Sequence, residues 1–157
     1  MKRKMAFLSL TIVFTLLCFG AVMAEGEKAT KEECVAKCKE VAAIAQEKGL
    51  DAAIEAVMAP GSPFVWKDSY VYILDMNGTV LAHPISTKLK GQSAMGFKDA
   101  NGKLFIAESI NLTKDKNEGW VDYMWMVPDT KEIKPKQTYL YKIPGKEALA
   151  LAGVYVY

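Results

Sequence analysis

The sequence predicts a single α+β domain in which a long N-terminal helix and a second helix pack on a five-stranded antiparallel sheet. Three observations predict it. A capped stretch near the front repeats its apolar residues every three to four positions, as a helix does. Two later regions are rich in aromatic and β-branched residues with a period of two, as strands are. The strands that close the chain are separated only by short turns, and short turns join antiparallel neighbours.

The first 24 residues stand apart from this domain. Lys2, Arg3 and Lys4 form a basic start, an apolar run follows from about Met5 to Phe19, and small residues lead up to Ala24. This is the pattern of a secretory signal peptide, with cleavage expected before Glu25. The apolar run falls short of the roughly 20 residues that span a bilayer, which favours cleavage over anchoring. Leu17 precedes Cys18 where a lipid-attachment site requires a small residue, so lipidation is not expected. A polar linker, 25–29, separates the signal from the domain, 30–157.

In the domain, Thr30 and Glu33 have the spacing of a capping box, in which each side chain satisfies the other's backbone donor. The helix it opens is expected over 30–48, with Cys34, Val35, Cys38, Val41, Ala42 and Ala45 on its buried stripe and Gly49 at its end. A short helix from Asp51 to Met58 is stopped by Pro60-Gly61-Ser62-Pro63. Tyr70 to Leu74, the turn residues Asp75-Met76-Asn77-Gly78, and Thr79 to His83 read as a β-hairpin. The connection from Pro84 to Gly96 is long enough to be a functional loop. A turn at Asp99 to Gly102 leads into a helix expected over Lys103 to Lys116. Three strands complete the chain: Gly119 to Val127, Gln137 to Ile143, and Ala148 to Val156.

Charge excludes one class of partner. Three of the 20 basic residues lie in the signal and all 18 acidic ones lie beyond it, leaving the mature chain with one more acid than base. A near-neutral chain without a basic stripe has no electrostatic footprint for nucleic acid. The precursor's pI of 8.3 is a property of the signal, not of the domain.

Several spaced motifs together resemble the single Cache domains, extracytoplasmic small-molecule sensing modules with a PAS-like fold. They are Tyr72-Ile73-Leu74-Asp75-x-Asn77-Gly78-x-Val80-Leu81-Ala82-His83-Pro84, Gly91, and Asp99-x-Asn101-Gly102-Lys103. Gly119-Trp120-Val121-x-Tyr123-x-Trp125, Lys134-Pro135-Lys136-x-x-Tyr139 and Ala152-Gly153-Val154-Tyr155 follow in order. The resemblance runs from about Thr30 to Tyr157. It implies a PAS-like sheet, a ligand site near His83, and a role in chemotaxis or other signal transduction. Members of this family usually sit between two membrane spans and continue into a cytoplasmic signalling region. A chain ending at Tyr157 is expected to bind without transmitting a signal itself, which leaves a membrane receptor or a homodimer as candidate partners.

Five side chains are candidates for the ligand. His83 is the only histidine, which rules out a His-based metal cluster. Its neutral ring both donates and accepts, so it suits either a structural bond at a strand end or a ligand carboxylate or carbonyl. Period two puts Val121, Tyr123, Trp125 and Val127 on one face of their strand, and Tyr139 and Tyr141 share a face of the next strand that could lie opposite them. Such a cluster serves equally as core or as pocket wall. The mature chain has no arginine, so a bound acid would be held by lysine, tyrosine, histidine or backbone N–H groups. Lys136 is the candidate from the Lys-x-x-Tyr motif, yet it and Tyr139 point to opposite faces of a regular strand. Only a bulge, or a strand that starts after Lys136, would bring both to one ligand.

Cys34 and Cys38 lie one helical turn apart, about 6 Å between Cα atoms and near the upper limit for a disulfide. They read either as a disulfide, internal or intermolecular, or as two small core residues, with metal or redox chemistry as a third reading. No nucleophile and base stand at catalytic spacing, and no cofactor or metal is called for. The expected function is binding of a small molecule outside the cytoplasm, a small carboxylate above others. The alternative is a ligand-free interaction or structural module.

Overall fold

A computed structural model describes residues 26–157. The expected signal peptide and its cleavage site lie outside the described residues. Helix α1 spans Lys31–Lys48 and opens with the expected capping box: the Glu33 N–H donates to Thr30 Oγ1 (3.2 Å), and the Thr30 N–H donates to Glu33 Oε2 (2.9 Å). Helix α2 spans Leu50–Met58. The strands are β1 Val65–Trp66, β2 Ser69–Asp75, β3 Val80–Ala82, β4 Glu118–Met126, β5 Ile133–Lys142 and β6 Ala148–Tyr155, with helix α3, Phe105–Asp115, before β4.

The main path of the sheet runs β1-β2-β6-β5-β4, and β3 pairs with β2. Every described pairing between strands is antiparallel. The five expected strands are all present, and the two-residue β1 is added to them. β5 starts at Ile133, four residues before expectation, and runs through Pro135 opposite Met124. The proline is tolerated because it lies where the neighbouring β6 ends: the Pro135 carbonyl accepts from the Val156 N–H just past that strand.

β6 is the central strand and all eight of its residues are buried. Its sequence alternates small with large, and the alternation sorts two cores. Ala148, Ala150 and Ala152 face α1 and α2, together with Val71, Ile73, Tyr139 and the helix residues Cys34, Cys38, Val41 and Ala45. Leu149 and Leu151 face the other way, into a core with Tyr70, Tyr72, Leu74, Phe105, Ile106 and Tyr123. The alanine row lets the helix backbone approach the sheet closely. The leucine row supports α3 and the long connection.

Cys34 and Cys38 are free thiols, both fully buried in the first of these cores. No disulfide joins them in this structure, and their complete burial is the arrangement that the small-core-residue reading describes. Burial pushes the Cys34 thiol up to about 11 and raises Cys38 as well, so neither is a thiolate at neutral pH.

Both ends of the described domain converge on Asp68. Its Oδ1 accepts from the Ala29 N–H (2.7 Å) and its Oδ2 from the Tyr157 hydroxyl (2.8 Å).

The alanine row yields a first prediction. Ala150→Leu inserts three carbons between β6 and α1, and overpacking of this kind costs about 1–3 kcal/mol. Urea unfolding should show a lowered midpoint with an unchanged slope. A midpoint equal to wild type would mean that α1 does not rest on this row.

Candidate functional site

The leucine-row face carries a small cavity, with free space of about 20 Å³ that matches one water molecule. β2 and the hairpin contribute Tyr70, Tyr72, Leu74, Val80 and His83; the connection and α3 contribute Leu89, Ala94, Phe97, Phe105 and Ile106; β4 contributes Tyr123 and Trp125. Local structure explains the placement. Tyr70, Tyr72 and Leu74 alternate on β2 and so share one face. Gly78, with φ +79°, makes the hairpin turn, and a Cβ there would collide with Met95 at 2.6 Å. The turn and the returning connection therefore pack directly on each other.

The connection from Pro84 to Lys103 is anchored along its length, which makes it a fixed cover over the cavity. The Gly91 N–H donates to Val80 O (2.8 Å), the Val80 N–H to Gln92 O (2.9 Å) and the Ala94 N–H to Gly78 O (2.8 Å). At its far end the Asp99 carboxylate accepts from the Asn101 and Lys103 N–H groups through Oδ1 and from the Met124 N–H (2.8 Å) through Oδ2. These backbone donors, led by Met124, hold the Asp99 carboxyl below its ordinary range. The same bonds cap an exposed donor of the edge strand β4.

His83 is buried against Tyr70 (ring centres 4.9 Å apart) and stacked on Tyr72 (5.6 Å). Its Nδ1 accepts from the Ser86 N–H at 3.0 Å. That bond fixes the tautomer: the ring proton is on Nε2, which remains a donor. Burial, and secondarily the charge of Lys136, push His83 down to about 4, so the ring is neutral at physiological pH. The structural and the binding readings of His83 are thus compatible, one on each ring nitrogen. On the opposite wall Tyr123 stacks on Phe105 with ring centres 4.1 Å apart and planes 13° from parallel, and Trp125 meets Phe105 edge-on at 5.1 Å. The Tyr123 hydroxyl bonds Thr138 Oγ1 at 2.9 Å. Trp125 is half-buried and forms the solvent-side edge of the cavity.

Lys136 is 1% exposed, opposite Tyr123 on one side and Tyr155 on the other. Its Nζ lies 4.4 Å from the ring centre of Tyr70 and 4.8 Å from that of Tyr155, over both ring faces. It donates to the Tyr155 hydroxyl (3.4 Å), which itself donates to Met126 O (2.8 Å). Burial lowers Lys136 to about 7. Its nitrogen is one aromatic ring away from the cavity, behind Tyr70.

Four of the five candidates, His83, Tyr123, Trp125 and Lys136, thus share one face of the sheet. Tyr139 does not join them. Its cross-strand partner is Trp120, so it faces α1, where its hydroxyl donates to Glu118 Oε2 (2.5 Å). Tyr141, paired with Glu118, follows it. The expectation that these tyrosines lie opposite Tyr123 and Trp125 is corrected by register: directly paired antiparallel residues share a face, and β5 is regular from before Lys136. The residues that sequence reasoning missed are Tyr70, Tyr72 and Phe105. The i, i+2 spacing of the two tyrosines was a usable signal; nothing local marked Phe105.

Among the described residues no group of histidine, cysteine or carboxylate side chains could hold a metal ion, and no helix is long and apolar enough to cross a membrane.

Comparison with known proteins agrees with this architecture. Residues 12–157 match the model of the family described as Single Cache domain 2. Methyl-accepting chemotaxis protein McpP of Pseudomonas putida is 28% identical over 89 residues, 57% of this chain and 16% of that protein. Sensor histidine kinase MctS of Rhizobium johnstonii is 28% identical over 90 residues, 57% of this chain and 19% of that protein. The chain thus spans less than a fifth of the length of these curated relatives. Among solved structures, a periplasmic sensor domain of a chemotaxis protein superposes with TM-score 0.64 at 25% identity, covering 80% of this chain and 90% of that one. A Cache chemosensory domain, solved to explain its carboxylic acid recognition, superposes with TM-score 0.61 at 25% identity, covering 78% of this chain and 84% of that one. With its six-stranded antiparallel sheet, its helical layer on one face and its covered aromatic cavity on the other, the chain belongs to the Single Cache domain 2 family of sensor domains.

Proposed function

We propose that the domain works outside the cytoplasm as a non-enzymatic sensing module that binds a small carboxylate in the cavity beneath the connection. The observation that carries this reading is the polarity of the cavity wall. His83 offers an Nε2–H donor, the Lys136 nitrogen stands behind Tyr70, and among the described residues no carboxylate lines the cavity. An amine would meet donors and a like charge there, whereas an acid meets complementary ones. The small free volume favours an acid of few carbons, admitted by movement at Trp125. The Cache chemosensory domain solved for its carboxylic acid recognition supports the same class.

The first test is calorimetric titration with short-chain acids and the matching amines. Acids should bind and amines should not. Lys136→Met and Trp125→Ala should each weaken acid binding at least about tenfold, or about 1.4 kcal/mol. A preference for amines would overturn the reading, as would unchanged affinity in Lys136→Met.

The second test uses pH. Lys136 lies near 7 in the empty domain, and a bound carboxylate favours its charged form, so binding raises that value. Below about pH 7 the lysine is already charged and affinity is flat. Above it each bound acid must draw in a proton, and affinity falls by up to about tenfold per pH unit. His83, near 4, does not titrate in this window. Calorimetry at pH 8 in two buffers of different ionisation heat should show proton uptake in wild type and none in Lys136→Met; equal heats in wild type would refute the role of the lysine.

A further inference from the structure

Gly153 stands within the central strand β6, bordered by β2 and β5 and buried on both faces. Glycine weakens a strand interior and packs nothing, so its presence there calls for a physical reason. Backbone conformation is not that reason, because Gly153 is not among the residues with positive φ. Space is. A Cβ at this position would collide first with Thr138 Oγ1, then with Lys136 Cε at 2.7 Å and the Gln137 carbonyl oxygen at 2.9 Å.

Lys136 belongs to β5, yet its Nζ rests on the ring of Tyr70 in β2, with β6 between the two strands. The side chain must therefore cross β6. Its last methylene does so over the one residue of that strand that has no side chain. Lys136 also borders a second, open cleft on the other side, lined by Asp99, Asp122 and Lys103, in which two carboxylates face one other ammonium.

We propose that Gly153 is a positioning residue for ligand specificity: its missing side chain is the gap through which Lys136 reaches across β6, and it sends the lysine nitrogen onto the rings of Tyr70 and Tyr155 instead of to the cleft lined by Asp99 and Asp122. The proposal rests on the reading of Lys136 as the cation that selects a carboxylate, and its test needs no acid, so the two can fail separately.

The decisive measurement is a stability cycle on the whole domain with Gly153→Ala, Lys136→Ala and the double variant. Gly153→Ala should raise the unfolding equilibrium constant at least about threefold more in the wild-type background than with Lys136→Ala present, where the contacts with Thr138 and the Gln137 carbonyl remain. Equal penalties in the two backgrounds would assign the glycine to Thr138 and the Gln137 backbone and overturn the proposal. If Gly153→Ala alone does not fold, a folded double variant supports the proposal and an unfolded one overturns it. Where Gly153→Ala folds, NMR titration of the lysine Cε–Nζ group separates positioning from packing. Lys136 titrates at about 7 in wild type. In the variant it should move up towards an ordinary lysine as the amine enters the cleft, and an unchanged value would overturn the proposal.

Discussion

The constraint on which the structure rests is that β6 is covered on both faces and must serve two different neighbours at once. Successive side chains of a strand point to opposite sides, so the small–large alternation over 148–152 assigns each side its own packing distance. The alanines at 148, 150 and 152 bring α1 down against the sheet. The leucines at 149 and 151 hold the aromatic layer on the far side, where the cavity lies. A slip of one residue would exchange the two rows, place leucines under the helix and open the cavity floor. The pairing of Val71 with Ala152 and of Thr138 with Gly153 thus fixes the helix seat and the cavity face together.

Within that frame the buried lysine is the costly element. An ammonium removed from water loses several kcal/mol of hydration even after the protein relaxes. Two tyrosine ring faces and one hydroxyl return only part of it. The consequence is a group poised near neutrality in the empty domain and ready to be charged by a suitable anion. Under the proposed function such a group suits sensing, because the ligand-free state would hold an unmet electrostatic demand that a bound acid relieves. The Tyr155 hydroxyl that contacts Lys136 also bonds Met126 O, and two residues further on the Tyr157 hydroxyl meets Asp68, which holds Ala29 as well. The lysine thereby lies a few bonds from the point where both ends of the described domain join.

The cover of the cavity is held by main-chain bonds instead of side-chain packing. Its residues Gly91 to Ala94 extend the outer edge of β3, and the Asp99 carboxylate clasps the edge of β4. This arrangement keeps a largely exposed segment in place with few buried apolar contacts, and it leaves Leu89, Ala94 and Phe97 as its apolar contributions to the cavity.

The sequence by itself determined the elements and their order, because those depend on local signals: the Thr30–Glu33 capping box, the Asn77-Gly78 turn, and the periods of 3.6 and 2 that mark α1 and the strands. It also determined that Tyr123 and Trp125 share a face, and that Lys136 and Tyr139 do not unless the strand is irregular. What it left open was which face meets which neighbour. That was decided by strand register, a non-local quantity: Trp120 pairs with Tyr139, which sends both tyrosines of β5 to the helix side. The depth of Lys136, the protonation of His83 through Ser86, and the burial of Cys34 and Cys38 as free thiols likewise depend on segments far apart in the chain or on the solvent they exclude. Only the tertiary structure brings Gly153 beneath Lys136, since a residue's need for empty space is set by what crosses it and not by its own neighbours in sequence.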